Sequence, residues 1–225
     1  MTNLATSNAP IWEQIYAGGH VMNYPDDAFV RLFHRLIKPK LPDKSRVLDY
    51  GFGSGTTSLH MAKNGVFVEG VEISKTAVEV VSKRFSEQGL EGCFQVNKEA
   101  ILPFEEATMD ALVAWQVLTY NNLNSMREKV LDMQRVLKKG GVFLAALSMP
   151  GSALDLISEP INDGYGTKEI RHGVQAGAKI CIPSEIELHD IFAGLNATVG
   201  SVRYDFESFE MAQNSFWIVS FTKVE

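Results

Sequence analysis

Three glycines placed two residues apart, delivered by an apolar strand, constrain this chain more than any other feature: Val47-Leu48-Asp49-Tyr50-Gly51-Phe52-Gly53-Ser54-Gly55. Glycine has no Cβ, so the backbone can turn tightly there and let a ligand lie against it, while the helix that follows presents unpaired N–H groups. An ordinary strand-to-helix connection uses the same turn, so the next element has to separate the two readings. Val66-Phe67-Val68-Glu69-Gly70-Val71-Glu72-Ile73-Ser74 reads as a buried strand ending in an acid, and Glu72 falls 19 positions after Gly53. In a strand-turn-helix-strand unit, an acid at the tip of the second strand reaches ribose hydroxyls. A solvated strand-end carboxylate is the plainer alternative.

Two cofactor classes use this geometry. A nicotinamide-binding turn needs G-x-G-x-x-G, and Thr56 stands where its last glycine belongs. With Asp49 the pattern is instead D-x-G-x-G-x-G. Here the chain resembles the class I S-adenosylmethionine-dependent methyltransferases, whose first motif is similar to Leu48–Gly55 and second to Val71-Glu72-Ile73-Ser74. Leu102-Pro103-Phe104 with Met109–Val113, then Val136–Phe143 with its double glycine, resemble the later motifs of the methyltransferase-11 branch.

The resemblance implies S-adenosyl-L-methionine as cofactor. Asp49 and the backbone of Gly51, Phe52, Gly53 and Gly55 would hold its methionine end, Glu72 its ribose and Ile73 its adenine. An acid after the third strand would meet the adenine amino group. Asn97-Lys98-Glu99-Ala100 departs from the usual spacing by one residue, which leaves Glu99, beside Ala100, or Asn97 for that contact. Trp115 and Gln116, at the tip of the fourth strand, would line the methionine side; a core role is the alternative for Trp115.

Apolar periodicity predicts helices over 11–17 and 26–37, with Pro39 and Pro42 ending the second, then a strand over 46–49. Helices over 57–63, 75–87 and 126–138 alternate with strands over 66–72, 92–97, 109–115 and 141–148. Such alternation means an α/β fold with a doubly wound, mostly parallel sheet. A helix over 185–195, capped by Ser184 with Glu187 three residues on, precedes two strand-like runs, 198–206 and 215–223, with no helix between them. They are expected to pair as a hairpin, completing the seven-stranded sheet that the resemblance implies and that a nicotinamide domain would lack. One domain is expected, with residues 1–44 as a helical cap, 45–148 as cofactor core, 149–180 as a lid insertion, and 181–225 as helix and hairpin.

The bounds from composition agree. A chain of 225 residues, 45% hydrophobic and 21% charged, suits one well-buried domain. A net charge of −6 without clustered Lys and Arg argues against a nucleic-acid partner. Cys93 and Cys181 have no metal spacing and read as buried small hydrophobes. No apolar run long enough to span a membrane appears, and the N-terminus lacks a signal-peptide layout, so a cytoplasmic protein is expected.

The acceptor side rests on variable elements. Trp12–Tyr24 and the glycine-rich connection Pro150–Lys179, longer than an ordinary loop, are expected to roof the crevice above the strands' C-terminal ends. His172 in that connection is the candidate general base, against a solvated loop histidine. The absence of Asn-Pro-Pro-Tyr at the fourth strand argues against an amide or adenine-N6 target. The resulting expectation is a methyltransferase acting on a small molecule. A non-catalytic adenosylmethionine sensor or partner subunit is the first alternative, and an NAD(P)-dependent oxidoreductase, which Thr56 and the hairpin disfavour, is the second. Oligomeric state is left open.

Overall fold

Val47, Val113 and Leu144 face one side of the central sheet and Leu48, Leu112 and Phe143 face the other, and all six are wholly buried. Strands covered on both faces are what parallel sheets require. The computed structural model describes residues 4–42, 44–205 and 214–224, with side chains from Asn8 on. In chain order it runs through helices α1 (Leu4–Ala17) and α2 (Asp27–Leu32), strand β1 (Arg46–Tyr50), α3 (Thr56–Lys63), β2 (Phe67–Glu72), α4 (Lys75–Glu87), β3 (Gly92–Val96), β4 (Met109–Trp115), α5 (Leu123–Val136) and β5 (Leu137–Ser148). It continues with α6 (Ala153–Leu156), β6 (Ser158–Pro160), β7 (Lys168–Ile170), β8 (Lys179–Ile180), α7 (Glu185–Ile191), β9 (Thr198–Tyr204) and β10 (Asn214–Thr222).

The sheet has seven strands in the order β3-β2-β1-β4-β5-β10-β9, parallel as far as β5. β10 runs antiparallel between β5 and β9, so the expected hairpin is present and inserted into the sheet. Phe206, the expected end of its first strand, lies outside the described residues. α5 and α7 cover one face, through Met126, Met133, Leu188 and Phe192. α2, α3 and α4 cover the other, through Phe29, Met61, Val81 and Phe85.

Several boundaries differ from the sequence expectation, each for a local reason. α1 runs back through Pro10 to Leu4. The second helix is α-helical only to Leu32, widens to a π turn over Phe33–Ile37 and tightens to a 3₁₀ turn over Lys38–Lys40. Pro39 lacks an N–H and crowds the carbonyl four residues back, so a regular helix cannot run into it. α5 stops at Val136 because Leu137, fully buried, is taken into the sheet opposite Met109. α7 is shorter than expected, ending at Ile191, but its capping box forms as read: Ser184 N–H donates to Glu187 Oε2 at 2.8 Å and Glu187 N–H to Ser184 Oγ at 3.4 Å. Cys181 is buried, whereas Cys93 is exposed, because β3 is the edge strand and α4 packs on the Phe94 face of it, opposite Cys93.

The connection after β5 is no bare loop. β6, β7 and β8 form a small antiparallel sheet over Ile170, Ala178 and Ile180, which pack with Tyr120 and, from α1, Ile11 and Trp12. Among the described residues, no helix is long and apolar enough to cross a membrane.

Candidate functional site

A cleft of about 260 Å³ opens where the parallel strands end, lined there by Tyr50, Val71, Glu72, Asn97 and Trp115. Its position follows from topology, since β1 and β4 are neighbours whose following segments leave toward opposite faces. α1 contributes Trp12, Ile15 and Tyr16 to the wall, and the connection between β7 and β8 contributes Val174 and Gln175.

The glycine turn forms the floor. Gly53 has φ +53°, and a Cβ there would come 2.7 Å from the Tyr16 hydroxyl, so a side chain would fill the cradle. Gly55 has φ +75° and packs where a Cβ would strike Val81 Cγ2 at 2.6 Å, which sets α3 close against α4. Glu72 ties the turn to β2. Its Oε2 accepts from Gly53 N–H at 3.0 Å, and its Oε1 from Ile73 N–H at 2.6 Å and Ser74 N–H at 3.3 Å. Burial raises the Glu72 carboxyl above the usual range, and those three N–H bonds oppose the shift.

Asp49 lies beneath the loop rather than in the cleft lining. Its Oδ2 accepts from the Thr57 and Ser58 hydroxyls, both at 2.6 Å, anchoring the first turn of α3. Full burial pushes its carboxyl up to about 6 against those bonds. Gly55 is likewise a packing position outside the lining, whereas Gly51, Phe52, Gly53, Glu72, Ile73, Trp115 and Gln116 all border the cleft. The Phe52 ring packs into the core beside Phe94, 5.1 Å between centroids.

Past β3, Glu99 borders the cleft but is exposed, and its backbone N–H donates to Asn97 Oδ1 at 2.9 Å; Ala100 is exposed and off the lining. At the β4 tip, Gln116 holds φ +56°, a left-handed conformation uncommon outside glycine, with its amide donating to Asp26 Oδ2 at 3.2 Å. Trp115 packs edge-on to Phe29, while its buried Nε1 finds no acceptor among the described residues. The wall beyond is aromatic. Trp12 meets Tyr120 edge-on at 4.9 Å, and the Tyr120 hydroxyl donates to Gln175 Oε1 at 2.7 Å. Burial raises the phenols of Tyr16 and Tyr120 above their ordinary range.

His172 is exposed and off the lining; the histidine that borders the cleft is His20. Sequence reasoning missed Tyr120, Asn121 and Lys129. Lys129 had a readable signal: it falls on the apolar stripe of α5 with Met126, Val130 and Met133, where a charge is out of place.

A sequence profile of the methyltransferase domain matches residues 47–141, which spans the glycine turn, Glu72 and the start of β5. Among curated proteins, the chain is 30% identical over 113 residues to a sterol 4-C-methyltransferase of Caenorhabditis elegans, covering 49% of this chain and 33% of that one. It is 32% identical over 108 residues to a ubiquinone biosynthesis O-methyltransferase of Coxiella burnetii, covering 48% and 41%. The chain thus spans under half the length of these relatives. Among solved structures, an S-adenosylmethionine-dependent methyltransferase of Methanosarcina mazei superposes with a TM-score of 0.68 at 21% identity, covering 84% of this chain and 97% of that one, a likeness of fold.

Proposed function

We propose that the chain is a class I S-adenosylmethionine-dependent methyltransferase and transfers the methyl group of S-adenosylmethionine to a small-molecule acceptor in the cleft above β1, β2 and β4, a reading supported by the methyltransferase-domain match over residues 47–141 and by the likeness of fold. The observation that carries this reading is the Glu72 carboxylate, buried at the β2 tip and fixed by Gly53 and Ile73 N–H groups beside a glycine cradle that a Cβ would fill. The unmatched Trp115 Nε1 and Asn121 Oδ1 on the cleft wall also suit a polar ligand.

In this proposal Gly51 to Gly53 and Tyr16 hold the amino-acid arm, Glu72 accepts from the ribose hydroxyls, and Ile73 packs on the base. When bound, the sulfonium supplies an electrophilic methyl carbon. The chain's own contribution is alignment and dryness: Trp12, Tyr16 and Tyr120 exclude water and orient the acceptor, which can supply several of the roughly 7–11 kcal/mol available from good orientation. A small acceptor is favoured by the closed aromatic wall and by the net charge of −6. The names of the two curated relatives, a sterol and a ubiquinone-pathway enzyme, point the same way. The cytoplasmic location expected from the sequence belongs to this proposal.

Calorimetry tests it. S-adenosylhomocysteine should bind, with no comparable affinity for NAD or NADP, and tighter binding of a nicotinamide dinucleotide would overturn the assignment. Tight cofactor binding with no methyl transfer across a broad panel of small molecules would favour a sensor instead.

A further inference from the structure

Lys129 is 6% exposed, sits on the apolar stripe of α5 and reaches the cleft lining. Its ammonium stands 5.7 Å from the centre of the Tyr50 ring. Among the described residues no carboxylate or hydrogen-bond acceptor answers it. The stem is buried while the ammonium opens onto the cleft, where the ring face meets only part of a cation's need for partners. The cleft wall beside α5 holds a second unmatched group, the buried Oδ1 of Asn121.

The sheet's alternation places these groups relative to the cofactor. Asp49 and Glu72 turn toward the glycine-turn side, where their carboxylates bond Thr57, Ser58 and Gly53. Tyr50 and Val71, paired across β1 and β2, turn toward the α5 layer. A ligand with its ribose at Glu72 and its amino-acid arm under Tyr16 therefore sends its base toward Tyr50, Val71 and Lys129. Adenine offers ring-nitrogen acceptors beside an amino donor.

We propose that Lys129 recognises the base of the cofactor by donating a hydrogen bond to a ring nitrogen of adenine, in place of the acid expected after the third strand. Glu99, the residue expected there, is exposed, with its backbone held in a turn by Asn97. The inference rests on the proposed cofactor, since it assigns one part of that ligand.

The test measures binding of S-adenosylhomocysteine and its 1-, 3- and 7-deaza analogues, each with one ring nitrogen replaced by C–H, to the wild type and to Lys129→Met. One analogue should bind the wild type about 10-fold or more weakly, as expected for a lost hydrogen bond to a charged donor. Lys129→Met should bind the parent compound with a similar loss and no longer distinguish it from that analogue. Its melting temperature should stay at or above that of the wild type, because methionine fits the apolar stripe. Unchanged affinity in Lys129→Met, or equal affinity of the wild type for the parent and all three analogues, would overturn the inference and leave the proposed function standing. Lysine anchoring an anionic acceptor instead would appear as unchanged cofactor affinity with a raised acceptor KM, and would also overturn it. No binding of S-adenosylhomocysteine to the wild type would instead remove the cofactor reading itself.

Discussion

The side-chain amide of Asn8 satisfies both backbone groups of Lys179, donating to its carbonyl and accepting from its N–H, each at 2.8 Å. One buried residue of α1 thereby continues the edge of the small lid sheet and fixes the roof to the cap. Asn8→Ala leaves two backbone groups without partners, at a cost of about 2–4 kcal/mol. The expected result is faster amide exchange across 168–180 and a raised acceptor KM, with cofactor affinity within a few-fold. Hydrogen exchange with steady-state kinetics checks it, and unchanged exchange in that segment would remove the link.

In the proposed site Glu72 holds the glycine turn, as its bonds to Gly53 and Ile73 N–H show, and also accepts from the ribose, so its variants test both roles. Removing a carboxylate that accepts hydrogen bonds costs about 1.5–3 kcal/mol, so Glu72→Ala should weaken S-adenosylhomocysteine binding roughly 10- to 100-fold. Glu72→Gln should do nearly as badly. Its two oxygens accept from Gly53 on one side and Ile73 on the other, and an amide would set N–H against N–H at one of them. Calorimetry on both variants decides, with unchanged affinity counting against a ribose role.

His172 is exposed and off the cleft lining, so His172→Ala should leave turnover within about 2-fold, where loss of a general base costs about 10²- to 10⁴-fold. A loss of that size would require the lid to rearrange on binding acceptor.

The parts legible in the sequence are those whose geometry is set locally. The turn at Gly51 to Gly55 and the acid at Glu72 follow from strand, turn and helix within one unit, and β4 matches its expected bounds of Met109–Trp115. The lid was opaque because β6, β7 and β8 are two or three residues long, too short for any periodicity, and are held by distant partners such as Asn8 and Tyr120. Asp49 was assigned to the cofactor because its motif position is local, whereas its partners Thr57 and Ser58 are set by how α3 docks. Cys93 depended on β3 being the edge strand, which only the sheet order reveals.

The burial of Asp49 also makes a pH prediction whose sign is fixed. Its carboxyl is held at about 6 in the folded chain, because burial outweighs the bonds from Ser58 and Thr57, against about 3.9 unfolded. Between those values the folded state binds the extra proton, so this group's contribution to stability falls as pH rises from about 4 to about 6 and is lost above that. A shift of about two pH units corresponds to at most about 3 kcal/mol. Glu72, which burial also raises, adds a change of the same sign, whereas Asp155, held low by Gly151 N–H and Lys168, gains its stability at or below the ordinary unfolded value of about 3.9 and so lies outside this window. The difference between variant and wild type isolates Asp49. Asp49→Asn cannot ionise, so its melting temperature relative to wild type should climb between pH 4 and 7, by up to about 6–12 °C at 2–4 °C per kcal/mol. The amide nitrogen, set against the Ser58 hydroxyl, shifts the baseline of that difference and not its slope. A difference that stays flat or falls across that range would mean Asp49 is ionised without penalty beneath the loop.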